Sequence, residues 1–130
     1  MKKNRISKNW INKQRRDIYV RQSKIEGYRS RAVYKLKEIN DKFKILRNGQ
    51  SIVDLGGAPG SWSQYLSSTL KNTKLLAIDL LEIQEIKNVK LMKGDFTDDI
   101  YKQKIKSFFN TKIDLVISDM AVNTTGNKNL

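Results

Sequence analysis

Four aspartates and one glycine-rich turn are spaced in this chain as groups that can do chemistry. The turn, Asp54-Leu55-Gly56-Gly57-Ala58-Pro59-Gly60, follows a short apolar run and precedes a helical pattern. Glycines between a strand and a helix allow a tight turn and close approach of a ligand to the backbone. The amides that open the next helix can hold a carboxylate or a phosphate. Two familiar phosphate signatures fail here. A P-loop needs Lys-Ser/Thr after its last glycine, and Ser61-Trp62 stands there instead. The dinucleotide fingerprint G-x-G-x-x-G fails because Ala58 takes the place of its second glycine.

Asp79 lies 25 residues after Asp54 and closes the next apolar run. A carboxylate there can accept hydrogen bonds from both ribose hydroxyls of a nucleoside cofactor. Asp95, followed by Phe96, closes a third run, where it can accept from an adenine amino group beside an aromatic wall. Asp119 closes a fourth. Any one of these alone reads as a turn or cap residue. Four at the carboxyl ends of successive strands point to the edge where open α/β sheets bind ligands. Trp62 fits core packing and cofactor contact equally well. Asp98 and Asp99 read as caps of the helix that follows and receive no other role.

The elements that must position these groups alternate. Strands are expected at Ser51–Leu55, Lys74–Asp79, Val89–Met92 and Ile113–Ser118, and helices at Trp62–Leu70 and Asp98–Phe109. The strands are continuous apolar runs, the pattern of parallel strands buried on both faces, so the fold class is α/β with a doubly wound sheet. An earlier helix is expected over residues 30–43, with Ser30 as N-cap and a stripe of Ala32, Val33, Leu36, Ile39 and Phe43. Residues 1–29 form a basic arm whose first 24 residues read as a segment that orders on RNA, and 30–130 form the cofactor domain.

Charge is concentrated in the arm and the helix that follows it. The chain has 130 residues and a formal net charge of +13, and residues 1–47 hold 16 basic and 4 acidic side chains. That concentration suits an acidic polymer, with an anionic membrane surface as the less favoured partner. The chain lacks Cys and His, which excludes a disulfide framework, thiolate or imidazole metal sites and a histidine base. No metal is expected. No apolar run reaches membrane-spanning length and the basic N-terminus has no apolar h-region, so no membrane partner is expected and the cytoplasm is the default location.

Tyr28–Glu38 (YRSRAVYKLKE), Asp54–Gln64 (DLGGAPGSWSQ), Gly94–Thr97 (GDFT) and Ser118–Ala121 (SDMA), in this order, resemble the FtsJ/RrmJ family of ribosomal RNA 2′-O-methyltransferases. The resemblance covers nearly the whole chain. It implies a Rossmann-like, mostly parallel fold that binds S-adenosyl-L-methionine at Gly60, Trp62, Asp79, Asp95 and Asp119, with Asp54 and Gly56 in the adjoining turn. It implies methylation of a ribose 2′-hydroxyl, a uridine in bacterial members, in 23S RNA of the large ribosomal subunit. The family surrounds its transfer site with a Lys-Asp-Lys-Glu set, of which Lys35 and Asp119 match the first two. The second Lys and the Glu, with the last strands of the family fold, have no counterpart here. Lys128 is too near Asp119 to be that Lys, and Val122 replaces the usual Pro. The expectation is a chain that binds cofactor and RNA but transfers methyl groups slowly or not at all. Arg29 and Arg31, with Lys35, are the expected RNA contacts. Two other readings compete. A non-catalytic basic RNA-binding module accounts for the charge but not for the strand-end aspartates. A nicotinamide-dependent oxidoreductase accounts for Asp79 but not for the basic arm.

Overall fold

The computed structural model describes residues 2–120, with side chains from residue 8 onward. Ala121, Val122 and Lys128, which entered the sequence reading, lie outside the described residues. Helix α1 spans Lys2–Glu26 and α2 spans Val33–Phe43. The sheet follows as β1 (Ser51–Leu55), β2 (Lys74–Asp79), β3 (Val89–Lys93) and β4 (Leu115–Ser118), with α3 (Ser61–Thr69) after β1 and α4 (Asp99–Phe109) after β3. Strand order is β3-β2-β1-β4, and every pairing is parallel. The chain therefore runs outward from β1 to β3 and crosses back to β4 on the other side of β1. The change of direction between β1 and β4 opens a crevice at the carboxyl ends of the strands, where doubly wound sheets bind ligands.

Alternate residues of the central strands enter opposite layers, as the pleat requires. Ile52 and Leu75 pack with Leu36, Trp62, Leu66 and Ile117 on the α2/α3 side. Val53, Leu76 and Ile78 pack with Ile105 and Phe109 on the α4 side. Both central strands are thus buried on both faces, which is why they read as unbroken apolar runs. At the β4 edge Val116 is exposed. Strand β4 begins later than the apolar run suggests. Asp114 anchors its approach, its amide donating to Ser51 O (2.9 Å) and its carboxylate accepting from Ser51 N (2.8 Å), and the ladder starts at the Ile52–Leu115 pair.

Three expectations need correction. The first segment is a helix in its own right. No Gly or Pro interrupts residues 2–26, and Gly27 at φ +83 ends the helix, with Tyr28 N donating to Ser23 O at 2.8 Å. Ser30 does not cap α2, whose N-cap position is Ala32 without a side-chain bond. Instead Ser30 Oγ accepts from Ala32 N and shares a 2.9 Å hydrogen bond with Ser61 Oγ, joining the approach of α2 to the start of α3. Phe43 leaves the α2 stripe and is exposed, because the helix ends at Lys44 in a left-handed conformation while Val33 and Leu36 fill the core. Asp98 does cap α4, accepting from Ile100 N at 3.2 Å.

Candidate cofactor and nucleotide site

The glycine turn is held from three sides. Gly56 N and Gly57 N both donate to Ile78 O on β2, at 2.8 and 3.1 Å. Ala58 N donates to Asp79 Oδ2 at 3.0 Å, and Leu81 N donates to Asp79 Oδ1 at 2.9 Å. Asp79 thus fixes the turn from the end of β2. A carboxylate offers about four lone-pair positions, so both oxygens can still accept from ribose hydroxyls. The third hold comes from Arg29. Its guanidinium donates to the carbonyls of Pro59 (2.9 Å), Gln84 (2.7 Å) and Glu85 (2.7 Å), while its amide donates to Gln64 Oε1 (2.8 Å). Arg29 was expected to face RNA. In the structure its guanidinium clasps the glycine turn to the segment after β2. Arg31 is exposed and free of that network.

Gly60 shows why a glycine stands under this clasp. It lies at φ +119, and a Cβ there would sit 2.9 Å from Arg29 Nη1 and from Ile86 Cδ1. Gly57 makes a different demand. A Cβ there would meet Asp54 Oδ2 at 3.1 Å and Ala77 Cβ at 3.2 Å, so the backbone lies directly on the Asp54 carboxylate.

Asp54 is 2% exposed, and Ser63 Oγ of α3 donates to its Oδ2 at 2.8 Å. Burial pushes its carboxyl up to about 7. The Ser63 hydrogen bond opposes that shift, and the neighbouring carboxylates of Asp119 and Asp79 add to it. Asp54 lines a cavity of about 50 Å³ with Gly56, Gly57, Ser61, Trp62 and Asp119. The chemistry of this donor set fits an ammonium or other cationic group. The volume suits one end of a ligand, with the remainder lying across the open strand ends toward Asp79 and Asp95. Trp62 lines this cavity, yet its indole is 5% exposed and donates to Ala32 O at 2.7 Å, so its main contribution is to the core. At β3, Asp95 Oδ1 accepts from Thr97 N (2.9 Å) and Thr97 Oγ1 (2.6 Å). The Thr97 bonds hold this carboxyl below its usual range. Asp95 stays ionised and exposed, with Phe96 half-buried beside it.

On the far side of Asp119 lies a second, open cavity of about 470 Å³, lined by Tyr19, Ser30, Arg31, Tyr34, Lys35 and Asp119 among others. Lys35 Nζ lies 3.2 Å from Asp119 Oδ1, joining residues 84 apart in sequence. Asp119 therefore stands on the wall common to both cavities. Of the expected residues, Asp54, Gly56, Trp62 and Asp119 meet in the small cavity, and Arg31, Lys35 and Asp119 meet in the large one. Asp79 and Asp95 stand on the next two strand ends. Ser63, Gln64 and Tyr19 went unassigned. Ser63 and Gln64 belong to the quoted DLGGAPGSWSQ segment, and that membership was the available signal. Among the described residues, no three His, Cys, Asp or Glu side chains are grouped so as to hold a metal ion. Likewise no helix there is long and apolar enough to cross a membrane.

The model of the family described as FtsJ-like methyltransferase matches residues 28–130. The chain is 62% identical over 130 residues to ribosomal RNA large subunit methyltransferase E of Pelagibacter ubique, covering 100% of this chain and 64% of that relative. It is 47% identical over 128 residues to the protein of the same name from Rickettsia akari, covering 94% of this chain and 56% of that relative. The chain thus spans less than two thirds of the length of both. A crystal structure described as a ribosomal RNA methyltransferase from Plasmodium falciparum superposes with a TM-score of 0.65 at 35% identity, covering 77% of this chain and 60% of that one.

Proposed function

The chain belongs to the FtsJ-like methyltransferase family, and from that premise we propose that it is the cofactor-binding part of an S-adenosylmethionine-dependent enzyme. The reaction we assign is methylation of a ribose 2′-hydroxyl, that of a uridine, in 23S RNA of the large ribosomal subunit. The observation that carries this reading is the position of Asp119, on the wall between a carboxylate-lined pit and an open pocket that holds Lys35. A nucleoside cofactor on one side and a polymer nucleotide on the other would meet there.

When bound, S-adenosylmethionine supplies a methyl group on an electrophilic sulfonium. The chain's own residues bind and align. Asp79 takes ribose hydroxyls while holding the glycine turn, and Asp95 accepts from the adenine amino group through Oδ2. Asp54, beneath Gly57 and with its carboxyl raised to about 7, faces the cationic end of the cofactor, whose positive charge favours the ionised form. The Lys35–Asp119 pair orients the nucleotide whose 2′-oxygen attacks. Alignment of two reactants is worth about 7–11 kcal/mol in favourable cases, so a site built mainly to align them is chemically adequate. A lysine beyond this set would manage the hydroxyl proton. A non-catalytic RNA-binding module has no use for the paired cavities.

The test is incubation of large ribosomal subunits with methyl-labelled cofactor and the chain, alone and extended by the matching segment of the Pelagibacter ubique relative. A 2′-O-methyl group blocks alkaline cleavage of the following phosphodiester. Label should appear in alkali-resistant dinucleotides, more strongly with the extended chain, and should vanish in Asp119→Ala. Label on a base, or none with the extended chain, would contradict the proposal.

A further inference from the structure

Among the described residues, helix α1 meets the rest of the molecule from Tyr19 onward. Tyr19 stacks on Tyr34 with ring centroids 5.0 Å apart, and its hydroxyl donates to Glu38. Ser23 is buried, and Glu26 accepts from Tyr34 and Lys37. Residues 19, 23 and 26 follow the helical repeat, so they form a single stripe facing the body. Continued toward the N-terminus, that stripe passes through Arg15, Asn12 and Lys8, with Arg16 at its side. Residues 8–18 are all exposed.

A helix that extended only to lengthen a core would carry an apolar stripe on this face. Here the stripe turns cationic where the body ends. The change falls beside Tyr19, which lines the open cavity of Lys35 and Asp119. Lys13, Arg21 and Lys24 lie on the opposite side of the helix, away from that cavity.

Resting on the RNA reading above, we infer that the inner face of α1 ahead of Tyr19, through Lys8, Arg15 and Arg16, holds the phosphate backbone of the RNA strand that leads into the Lys35–Asp119 cavity. Phosphate contacts position a strand without reading its bases. Three cations spaced over two turns of helix span about 11 Å, the reach of a few nucleotides. Arg31, at the cavity rim, continues the track, and Arg29 is outside it.

The test compares two triple variants with equal change in charge, Lys8→Ala/Arg15→Ala/Arg16→Ala and Lys13→Ala/Arg21→Ala/Lys24→Ala, against the native chain. Alanine favours helix, so neither should unfold α1, and circular dichroism and cofactor titration check this. Affinity for a single-stranded fragment of large-subunit RNA is measured against salt. Each phosphate contact with single-stranded nucleic acid contributes a slope of about 0.7, so the inner triple should flatten the log–log slope by about 2 and the outer triple by less than a third of that. Equal flattening by both would overturn the inference while leaving RNA binding in place. If the native chain ignores RNA, the functional reading fails with it. Binding to phosphatidylserine vesicles instead, through the same three side chains, would replace RNA with a lipid surface.

Discussion

The strand-end crevice and helix α1 sit side by side and are built on opposite plans. In the crevice nearly every polar group has a protein partner. Asp79 ties the glycine turn, Arg29 clasps three carbonyls, and Ser63 satisfies one oxygen of buried Asp54. In the first half of α1 every described side chain is exposed. One region is shaped before its ligand arrives, and the other presents charge and waits for a partner. On the proposed function, the contrast would suit a small cofactor held with a fixed geometry and a long anionic polymer held with a tolerant one.

Substitutions can break this comparison, and the largest effect is expected at Gly60. Gly60→Val would force a β-branched side chain to φ +119 against Arg29. Strain of this kind costs about 1–3 kcal/mol before any clash. Calorimetry should find no cofactor binding, with RNA affinity retained. Loss of both would mean that the two regions are not separable.

Next comes Arg29→Ala, which strips a charged donor from three carbonyls. Hydrogen bonds to charged groups are worth about 1.5–3 kcal/mol each, though not additively, so cofactor affinity should fall at least tenfold. The salt slope of RNA binding should stay as it is. Arg31→Ala should do the reverse, flattening that slope by about 0.7 and sparing the cofactor. Matching effects from the two arginines would contradict the clasp.

A smaller effect concerns Asp54. Its folded-state value of about 7 lies above its ordinary value of 3.8, so between those limits the folded chain holds a proton that the unfolded chain has released. The stability this group contributes is full below about 4 and is lost as pH rises through 7. The thermal stability of the native chain should fall as pH rises over that window, and Asp54→Asn should flatten the decline. An unchanged profile would mean that burial does not govern this carboxyl. Smallest of all, Tyr19→Ala removes the Tyr34 stack, worth about 0.5–1.5 kcal/mol beyond its area. It should loosen α1 with little change at the cofactor.

The fold was legible where a single local rule decides. The bounds of β2 follow from an apolar run closed by Asp79, and the cap at Asp98 from its place before Ile100. Those signals are complete within a few residues. The clasp made by Arg29 was not legible because its acceptors, at residues 59, 84 and 85, come within reach only when the loops fold together. The indole of Trp62 finds Ala32 by the same long route. Ser30 looked like a helix cap until Ser61 supplied another partner. The helicity of residues 2–26 was missed because their charge spoke more strongly than the absence of helix breakers. The pairing of Lys35 with Asp119 was not readable from spacing at all, and came only from the likeness to a family.

The central claim is that the carboxyl ends of β1, β2, β3 and β4 form a site for S-adenosylmethionine. Calorimetric titration of the chain with that cofactor, with NAD as control, tests it most directly. The account predicts saturable one-site binding of the first and none of the second. A chain shown by circular dichroism to be folded that binds neither, or that binds NAD, would contradict it.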